Sequence, residues 1–166
     1  KGQVKYGQTE QKPKSELEEF WEGHSFVKLK GIKKLLCKSR GINEEPVDHL
    51  IEDGVLRTKQ YHKKACLMVP FFTLKRKVLK AIQLQSLDSE PFSFTIKNGS
   101  PKNKVFLKGS KPGEGGIFPC GAEIDQARIV IIVESVINAM TVSQFYPDAC
   151  CLALGSASYT RKIKTL

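Results

Sequence analysis

The chain has 166 residues, of which 40% are hydrophobic and 27% are charged, so it can form one ordinary domain or two small ones with a real core. No apolar run approaches the roughly 20 residues that cross a bilayer, which argues against a membrane protein. The five cysteines include no C-x-x-C pair, so neither a zinc site nor a disulfide framework is indicated, and free thiols in a reducing, cytoplasmic setting are predicted.

The net charge of +10 is unevenly distributed along the sequence. Residues 1–110 hold 22 Lys and Arg against 12 Asp and Glu, whereas residues 111–166 hold five against five. A one-sided basic field favours a polyanionic partner, and nucleic acid is favoured over membrane because no basic amphipathic helix with an aromatic face is evident. A lysine-rich surface that only keeps the protein soluble remains an alternative.

Residues 1–28 are predicted to be a polar linker followed by a short helix. Ser15 and Glu18 have the spacing of a capping box, which marks the start of that helix. The apolar residues that follow share one helical face. They are Leu17, Phe20 and Trp21.

Two further short helices are predicted. The first has Ile32, Leu35 and Leu36 on one side and ends near Gly41, which can adopt the left-handed conformation. Asn43 is predicted to cap the second, which ends before Gly54. Its apolar residues at helical spacing are Val47, Leu50 and Ile51.

Antiparallel strands are predicted from residue 65 onward. Residues 65–72 and 78–87 form a hairpin with a polar turn at 75–77, and the alternation in the second strand slips by one residue. Strands at 92–96 and 104–107 follow, separated by the turn signal Asn98-Gly99. The aromatic residues Phe92, Phe94 and Phe106 could stack on bases, but core positions are the commoner use of such residues.

The last third of the chain has a different pattern. The glycine-rich stretch 108–118 matches neither a P-loop nor a dinucleotide fingerprint and is predicted to be a loop. A strand at 129–133, a helix at about 135–145, a strand at 150–154 and the start of a helix after Ser156 predict a strand-helix-strand unit with a buried, parallel sheet. The fold class is therefore α+β, with short helices and antiparallel strands followed by an α/β unit.

Glu134 follows the apolar strand directly. In open α/β sheets, ligands gather at the carboxyl ends of the strands, where a carboxylate can hold a hard cation or act as a general base. An acid at a helix start can also do no more than favour the helix dipole. Position alone leaves both interpretations open.

The segment "VIIVESVINAMTVSQFYPDACCLALGSAS" resembles the first motif of the Toprim domain. The motif glutamate corresponds to Glu134 and its alanine to Ala139, while Ser135 replaces the family glycine and Asn138 the family aspartate. The later turn corresponds to Leu154-Gly155-Ser156. Upstream, "LLCKSRGINEEPVDHLIEDGV", "CLMVPFFTLKRKVLKAIQLQS" and "KVFLKGSKPGEGGIF" resemble, in the same order, segments of bacterial and phage or plasmid DNA primases.

The resemblance covers about residues 30–166 and implies a division of the chain. Residues 29–122 would be the basic primase-type subdomain and 123–166 the first half of a Toprim domain. It implies that Glu134 is catalytic and binds Mg²⁺ or Mn²⁺, with the remaining ligands in an Asp-x-Asp motif that does not occur in this chain. Residues expected to contact nucleic acid or nucleotides are Gln83, Lys104, Lys108, Lys111 and Arg76. The arginine that the family carries in the hairpin falls near Leu84 or Gln85 and is absent.

The function that follows from this resemblance is primer synthesis in DNA replication. The intact protein would make RNA primers on single-stranded DNA from nucleoside triphosphates by metal-assisted nucleotidyl transfer, with a replicative helicase as a further partner, whereas this chain alone would be inactive. No zinc site is expected from His24, His49 and His62. Two alternatives remain: a catalytically decayed module that binds single-stranded nucleic acid, and a Toprim nuclease or topoisomerase.

Overall fold

The computed structural model describes residues 15–23, 29–73, 78–87, 102–114, 116–156 and 158–159. The helices are α1 (Glu16–Gly23), α2 (Leu29–Lys33), α3 (Glu44–Glu52) and α4 (Val136–Ser143), and α2 continues as a π-helical turn, Lys34–Lys38. The strands are β1 (Arg57–Tyr61), β2 (Lys64–Phe72), β3 (Leu79–Ser86), β4 (Lys104–Phe106), β5 (Phe118–Gly121), β6 (Ile129–Val133) and β7 (Ala149–Ala153). The predicted α+β class is confirmed.

Helix α1 begins with the predicted capping box. The backbone N–H of Ser15 donates to the Glu18 carboxylate at 2.8 Å, and the N–H of Glu18 donates to the Ser15 hydroxyl at 3.3 Å. Each side chain thereby satisfies a backbone donor that the first helical turn leaves unpaired. Leu17 and Trp21 are buried on one face of the helix.

The loop between the π-helical turn and α3 differs in one detail from the prediction. Gly41 has φ +66 at the helix end, as expected. Asn43 occupies the N-cap position of α3, but its side chain makes no capping hydrogen bond. Instead, the amide of Gln144, just after α4, accepts from Asn43 N–H at 3.0 Å and donates to Gly41 C=O at 3.3 Å. This side chain, about one hundred residues away, therefore fixes the loop before α3 but does not replace the missing cap, which would accept from an N–H in the first turn of the helix.

Strands β1 to β4 form an antiparallel sheet in that order. Strand β2 pairs with β3 along its length, and the register shifts between Phe71 and Phe72, nearer the strand end than the slip that the sequence predicts. Strand β1 was not predicted, because the turn before β2 consists of His62 and Lys63 and contains none of the usual Gly or Asn signals.

Strands β5, β7 and β6 form a second sheet in that order. Strand β6 is parallel to β7 and is joined to it through α4, which confirms the predicted strand-helix-strand unit. Strand β5 runs antiparallel to β7. It was not predicted, and it begins at Phe118, the last residue of the predicted loop. Since β5 ends at Gly121, the strand pairing crosses the predicted division between residues 122 and 123, which itself stays a prediction.

One main core connects the two sheets. It contains residues of the α2–α3 region, one face of β2 and β3, and the inner side of α4 and β7, among them Ile32, Val47, Phe71, Met140 and Ala153. A second core lies between α1 and the opposite face of the four-stranded sheet. A third lies on the outer face of β7, around Ile117 and Leu152.

The predicted burial of β6 is wrong for the structure described. Ile129, Val130 and Ile132 are 54%, 46% and 37% exposed, while Ile131 and Val133 are partly buried against the main core. Among the described residues, β6 pairs with β7 alone. The apolar run therefore predicts a strand correctly without predicting what covers it.

Several predicted features lie outside the described residues. They are the linker at 1–14, the turn at 75–77 with Arg76, the strand at 92–96, the Asn98-Gly99 turn and most of the helix after Ser156, of which Ser158 and Tyr159 form a 3₁₀ turn. Within the part of the chain that the structure describes, no helix is long and apolar enough to span a membrane. The cysteines that were predicted to be free thiols are free, and Cys66, Cys150 and Cys151 are buried.

Candidate functional site

Glu134 lies between the last residue of β6 and the start of α4, at the carboxyl edge of the three-stranded sheet. Its side chain is exposed. Its carbonyl oxygen accepts a hydrogen bond from the N–H of Gly155 at 2.8 Å, and the N–H of Leu154 bonds to the carbonyl of Val133 at 3.0 Å. The turn after β7 therefore fixes the backbone from which the Glu134 carboxylate projects.

Ser135, at the position where the motif that the sequence resembles has glycine, is the N-cap of α4. Its side-chain oxygen accepts a hydrogen bond from the N–H of Asn138 at 3.2 Å. Serine is among the preferred N-cap residues, so this departure from the motif stabilises the start of the helix. Asn138 is exposed on the first turn.

Gly155 is the point where the two sheets meet at this edge. Its φ is +86, and a Cβ atom there would lie 3.0 Å from both Phe71 and Phe106, which belong to the four-stranded sheet. A side chain would therefore meet both an unfavourable conformation and two aromatic rings. The close approach explains in physical terms why a glycine stands in the Leu154-Gly155-Ser156 turn.

Gln83 reaches the same turn from the four-stranded sheet. It is only 5% exposed, and its side-chain nitrogen donates to the carbonyl of Gly155 at 3.5 Å. Gly155 in turn donates to Glu134. A continuous path of hydrogen bonds thus connects β3 with the backbone of the candidate acid.

Lys104 and Phe106 lie on the same face of the sheet as Gln83. Gln83 pairs with Phe106 and Gln85 with Lys104, and residues directly opposite in antiparallel strands share a face. The ring of Phe106 lies 5.6 Å from that of Phe71, edge to face, so Phe106 serves packing rather than base stacking. Lys104 is partly exposed. We call Gln83, Glu134 and Gly155 the strand-end site; Lys104 lies on the same sheet face as Gln83 without a described contact to it.

Lys108 and Lys111 lie in the turns after β4 and do not join the strand-end site through any described contact. Lys108 is exposed. The N–H of Lys111 donates to the carbonyl of Lys80, and its ammonium group lies 3.5 Å from the Glu114 carboxylate, which also binds Lys80 at 3.4 Å. One acid is thus shared by two lysines, which leaves a small positive surplus there.

The ion pairs alter the acidity of Glu114. Partial burial alone would raise the pKa of this carboxyl group, but the hydrogen bond from Lys80 and the nearby charge of Lys111 outweigh it and hold the pKa below its ordinary value. The carboxylate form is therefore the one that the folded chain favours.

The described residues fit a divalent cation poorly. No group of three or more His, Cys, Asp or Glu within them is arranged to hold a metal ion. Mg²⁺ in proteins is bound by oxygen ligands, commonly carboxylates, and the strand-end site offers the single carboxylate of Glu134. Any complete metal site would need ligands from outside the described residues.

Comparison with known proteins finds similar solved structures but no match by sequence. No family model matches the chain, and no curated protein matches it by sequence. The E. coli primase catalytic core is similar, with 18% identity and a TM-score of 0.38, over 80% of this chain and 42% of that one. A structure of the DnaG catalytic core is 16% identical, with a TM-score of 0.32, over 75% of this chain and 43% of that one.

A third similar structure is the DnaG primase catalytic domain bound to ssDNA. It is 16% identical, with a TM-score of 0.32, and the match covers 71% of this chain and 37% of that one. The chain spans less than half the length of each of the three solved structures.

Proposed function

We propose that the chain binds single-stranded nucleic acid and belongs to a protein of primase type. One observation carries the proposal: the hydrogen bonds from Gln83 to Gly155 and from Gly155 to the backbone carbonyl of Glu134 join the four-stranded sheet to the turn that bears the candidate acid. Residues that sequence reasoning assigned separately to nucleic-acid contact and to chemistry thereby meet at one edge of the fold.

The charge distribution supports a polyanionic ligand. The basic surplus is confined to residues 1–110, and within it Lys104 and Lys108 are accessible. Lysine ammonium groups bind phosphates as point charges without reading sequence, which suits a protein that must accept any template.

For the intact protein we propose RNA primer synthesis on single-stranded DNA from nucleoside triphosphates. Glu134 would act at the strand end together with acids from elsewhere in the protein. A bound Mg²⁺ or Mn²⁺ would neutralise negative charge on the phosphates. Since the described residues provide one carboxylate of such a set, we assign no reaction step to this chain alone. A replicative helicase as partner and a cytoplasmic location stay predictions.

The second candidate is a module that binds single-stranded nucleic acid without catalysis. Ser135 and Asn138 replace two motif residues, and the first of these has a sufficient structural role as a helix cap. The strand-end site would then be a joint between the two sheets, and Glu134 an exposed acid at a helix start. A Toprim nuclease or topoisomerase has no observation in its favour among the described residues.

Binding is tested first, on the whole chain. Fluorescence anisotropy with a labelled oligo(dT) of about 20 nucleotides, at about 50 and about 200 mM salt, should show affinity falling steeply as salt rises. The variants Lys104→Gln and Lys108→Gln should each weaken binding and reduce the slope of log affinity against log salt by about 1.

Lys38→Gln is the matched control, because Lys38 is an exposed lysine on the π-helical turn, outside the strand-end site. It removes the same charge from the net total. Affinity that does not depend on salt, or equal losses in all three variants, would contradict binding through these lysines.

Catalysis is tested on the intact protein. Glu134→Gln keeps the size of the side chain and removes its charge, so primer synthesis should fall by several orders of magnitude while oligo(dT) binding is retained. Unchanged primer synthesis would overturn the role of Glu134. If the unaltered intact protein bound oligo(dT) but made no primers with either Mg²⁺ or Mn²⁺, the non-catalytic module would be the better description.

A further inference from the structure

The turn between β1 and β2 has an unusual backbone. Its two residues, His62 and Lys63, have φ values of +47 and +64. Two-residue hairpin turns of this kind favour Asn-Gly or Asp-Gly, because both positions need positive φ. Histidine and especially lysine adopt that conformation at a conformational cost.

The turn is held on a well-anchored hairpin. Strands β1 and β2 pair in register from Arg57–Met68 to Tyr61–Lys64. At the base, the Arg57 guanidinium group lies 4.3 Å from the Trp21 ring centre and donates to the Trp21 carbonyl. Further along, the Lys59 ammonium group lies 3.4 Å from the centre of the Phe20 ring. Helix α1 thus fixes the strand that leads to the turn.

The two turn side chains point to solvent. His62 and Lys63 are both exposed, and the His62 ring packs edge-on against Tyr61, with 4.4 Å between ring centres. That contact orients the imidazole at the tip of the hairpin. Nothing about core packing demands these two residue types, since neither is buried.

The turn lies at the same end of the sheet as other lysines. Ala65 is hydrogen-bonded to Leu87, and Ser86 to Asn103, so the β1–β2 turn and the start of β4 lie at one end of the four strands. Lys102 is exposed there and Lys104 follows on β4. With strands about 4.8 Å apart, this end of the sheet spans about 14 Å from β1 to β4.

We propose that the His62–Lys63 turn is a second contact for single-stranded nucleic acid, on the opposite edge of the sheet from Lys104. A strand that crosses the sheet end would place a phosphate at Lys63 and a base against the His62 ring. Residues 59–64, "KQYHKK", hold three lysines and one histidine without an acid. Basic side chains interleaved with aromatic rings are the combination that such ligands require.

Backbone strain at an exposed turn supports this assignment. Unfavourable φ values persist where the arrangement of the side chains is needed, and functional sites are where they cluster. The inference rests on the proposed binding of nucleic acid, to which it adds a contact point and an orientation of the strand across the sheet end.

The decisive variant relieves the strain and removes both contacts at once. His62→Asn combined with Lys63→Gly places in the turn the residues that its backbone favours. We expect the melting temperature of the whole chain to rise and its affinity for oligo(dT) to fall about tenfold, the loss expected from one stacked base and one phosphate contact. A purely structural turn would give the higher melting temperature with unchanged affinity, which would overturn the inference.

The single variant Lys63→Gln separates charge from strain. It should reduce the slope of log affinity against log salt by about 1, whereas Lys38→Gln, an exposed lysine outside the sheet end, should not. If the unaltered chain fails to bind oligo(dT) at low salt, both the proposed function and this inference are refuted. If the chain binds with a steep salt dependence and the turn variants bind equally well, only the role of the turn is refuted.

Discussion

Strands β2 and β6 are both apolar runs, but their surroundings differ. In β2 the six residues from Cys66 to Phe71 are buried in succession, because β1 and β3 flank the strand and both of its faces are covered. Alternate residues enter different cores: Leu67 and Val69 the main core, Cys66 and Met68 the second. In β6 three of five residues are exposed. The burial of a strand thus depends on its neighbours rather than on its own hydrophobicity.

The largest expected effect comes from replacing one side chain in each of these two strands. Phe71 is fully buried and touches the joint between the sheets, so Phe71→Ala should cost about 3 to 5 kcal/mol of unfolding free energy. Ile132 is 37% exposed, and Ile132→Ala should cost about 1 kcal/mol. Urea denaturation followed by Trp21 fluorescence measures both values. Equal costs would mean that β6 is as well covered as β2.

The joint at Gly155 should give the next largest effect. Gly155→Ala introduces a Cβ atom 3.0 Å from two aromatic rings at a φ of +86, so we expect a loss of about 2 kcal/mol. Gly109→Ala is the matched control, because Gly109 also has a positive φ, +87, and a Cβ there has no atom within 4 Å. It should cost about 1 kcal/mol, because it adds backbone strain without a steric contact. Similar losses at both glycines would contradict a close approach of the two sheets at residue 155.

A smaller effect is expected at the N-cap of α4, in the unit that contains β6. Ser135→Ala removes the acceptor for the Asn138 N–H and should cost about 1 kcal/mol. Ser135→Gly should cost only a few tenths of a kcal/mol, because glycine is tolerated at N-caps. Thermal or urea unfolding of both variants measures the difference. If alanine and glycine proved equally neutral, the cap would contribute nothing.

The smallest expected effect is a pH dependence of stability, which arises from the ion pairs of Glu114 near β3. The pKa of Glu114 is lower in the folded chain than its ordinary value of 4.5, so its contribution to stability is present above that ordinary value and is lost as the pH falls through the folded one. Comparison of the unaltered chain with Glu114→Gln in urea denaturation should show a difference at pH 7 that vanishes in acid. A difference that persists in strong acid would exclude these ion pairs as its cause.

Local signals in the sequence predict the elements that local interactions determine. The bounds of β6 are as predicted, and the Ser15–Glu18 box begins α1, because both depend on a few adjacent residues. Strand β1 was missed because its turn lacks Gly and Asn, and β5 because it is short and follows a glycine-rich stretch. The pairing of β5 with β7 joins segments about thirty residues apart, which alternation alone does not reveal.

The sequence proposes members of the candidate site, whose roles stay predictions, but it does not reveal how they are connected. Glu134 and the 154–156 turn follow from the motif, whereas the contact between Gln83 and Gly155 joins residues 72 positions apart. A buried glutamine on an apolar strand is the signal that was available, because a buried amide requires a partner. The hydrogen bonds from Gln144 to the loop before α3 had no comparable signal in the sequence.

The position of β5 has a consequence for how the chain can be cut. Its residues come before the stretch 122–128, while its strand partner β7 comes after it, and the main core draws residues from both sides. A protease that cleaves between residues 122 and 128 should therefore leave two fragments that elute together on gel filtration and melt in one transition. Expressed separately, each fragment would lack half of a shared interior.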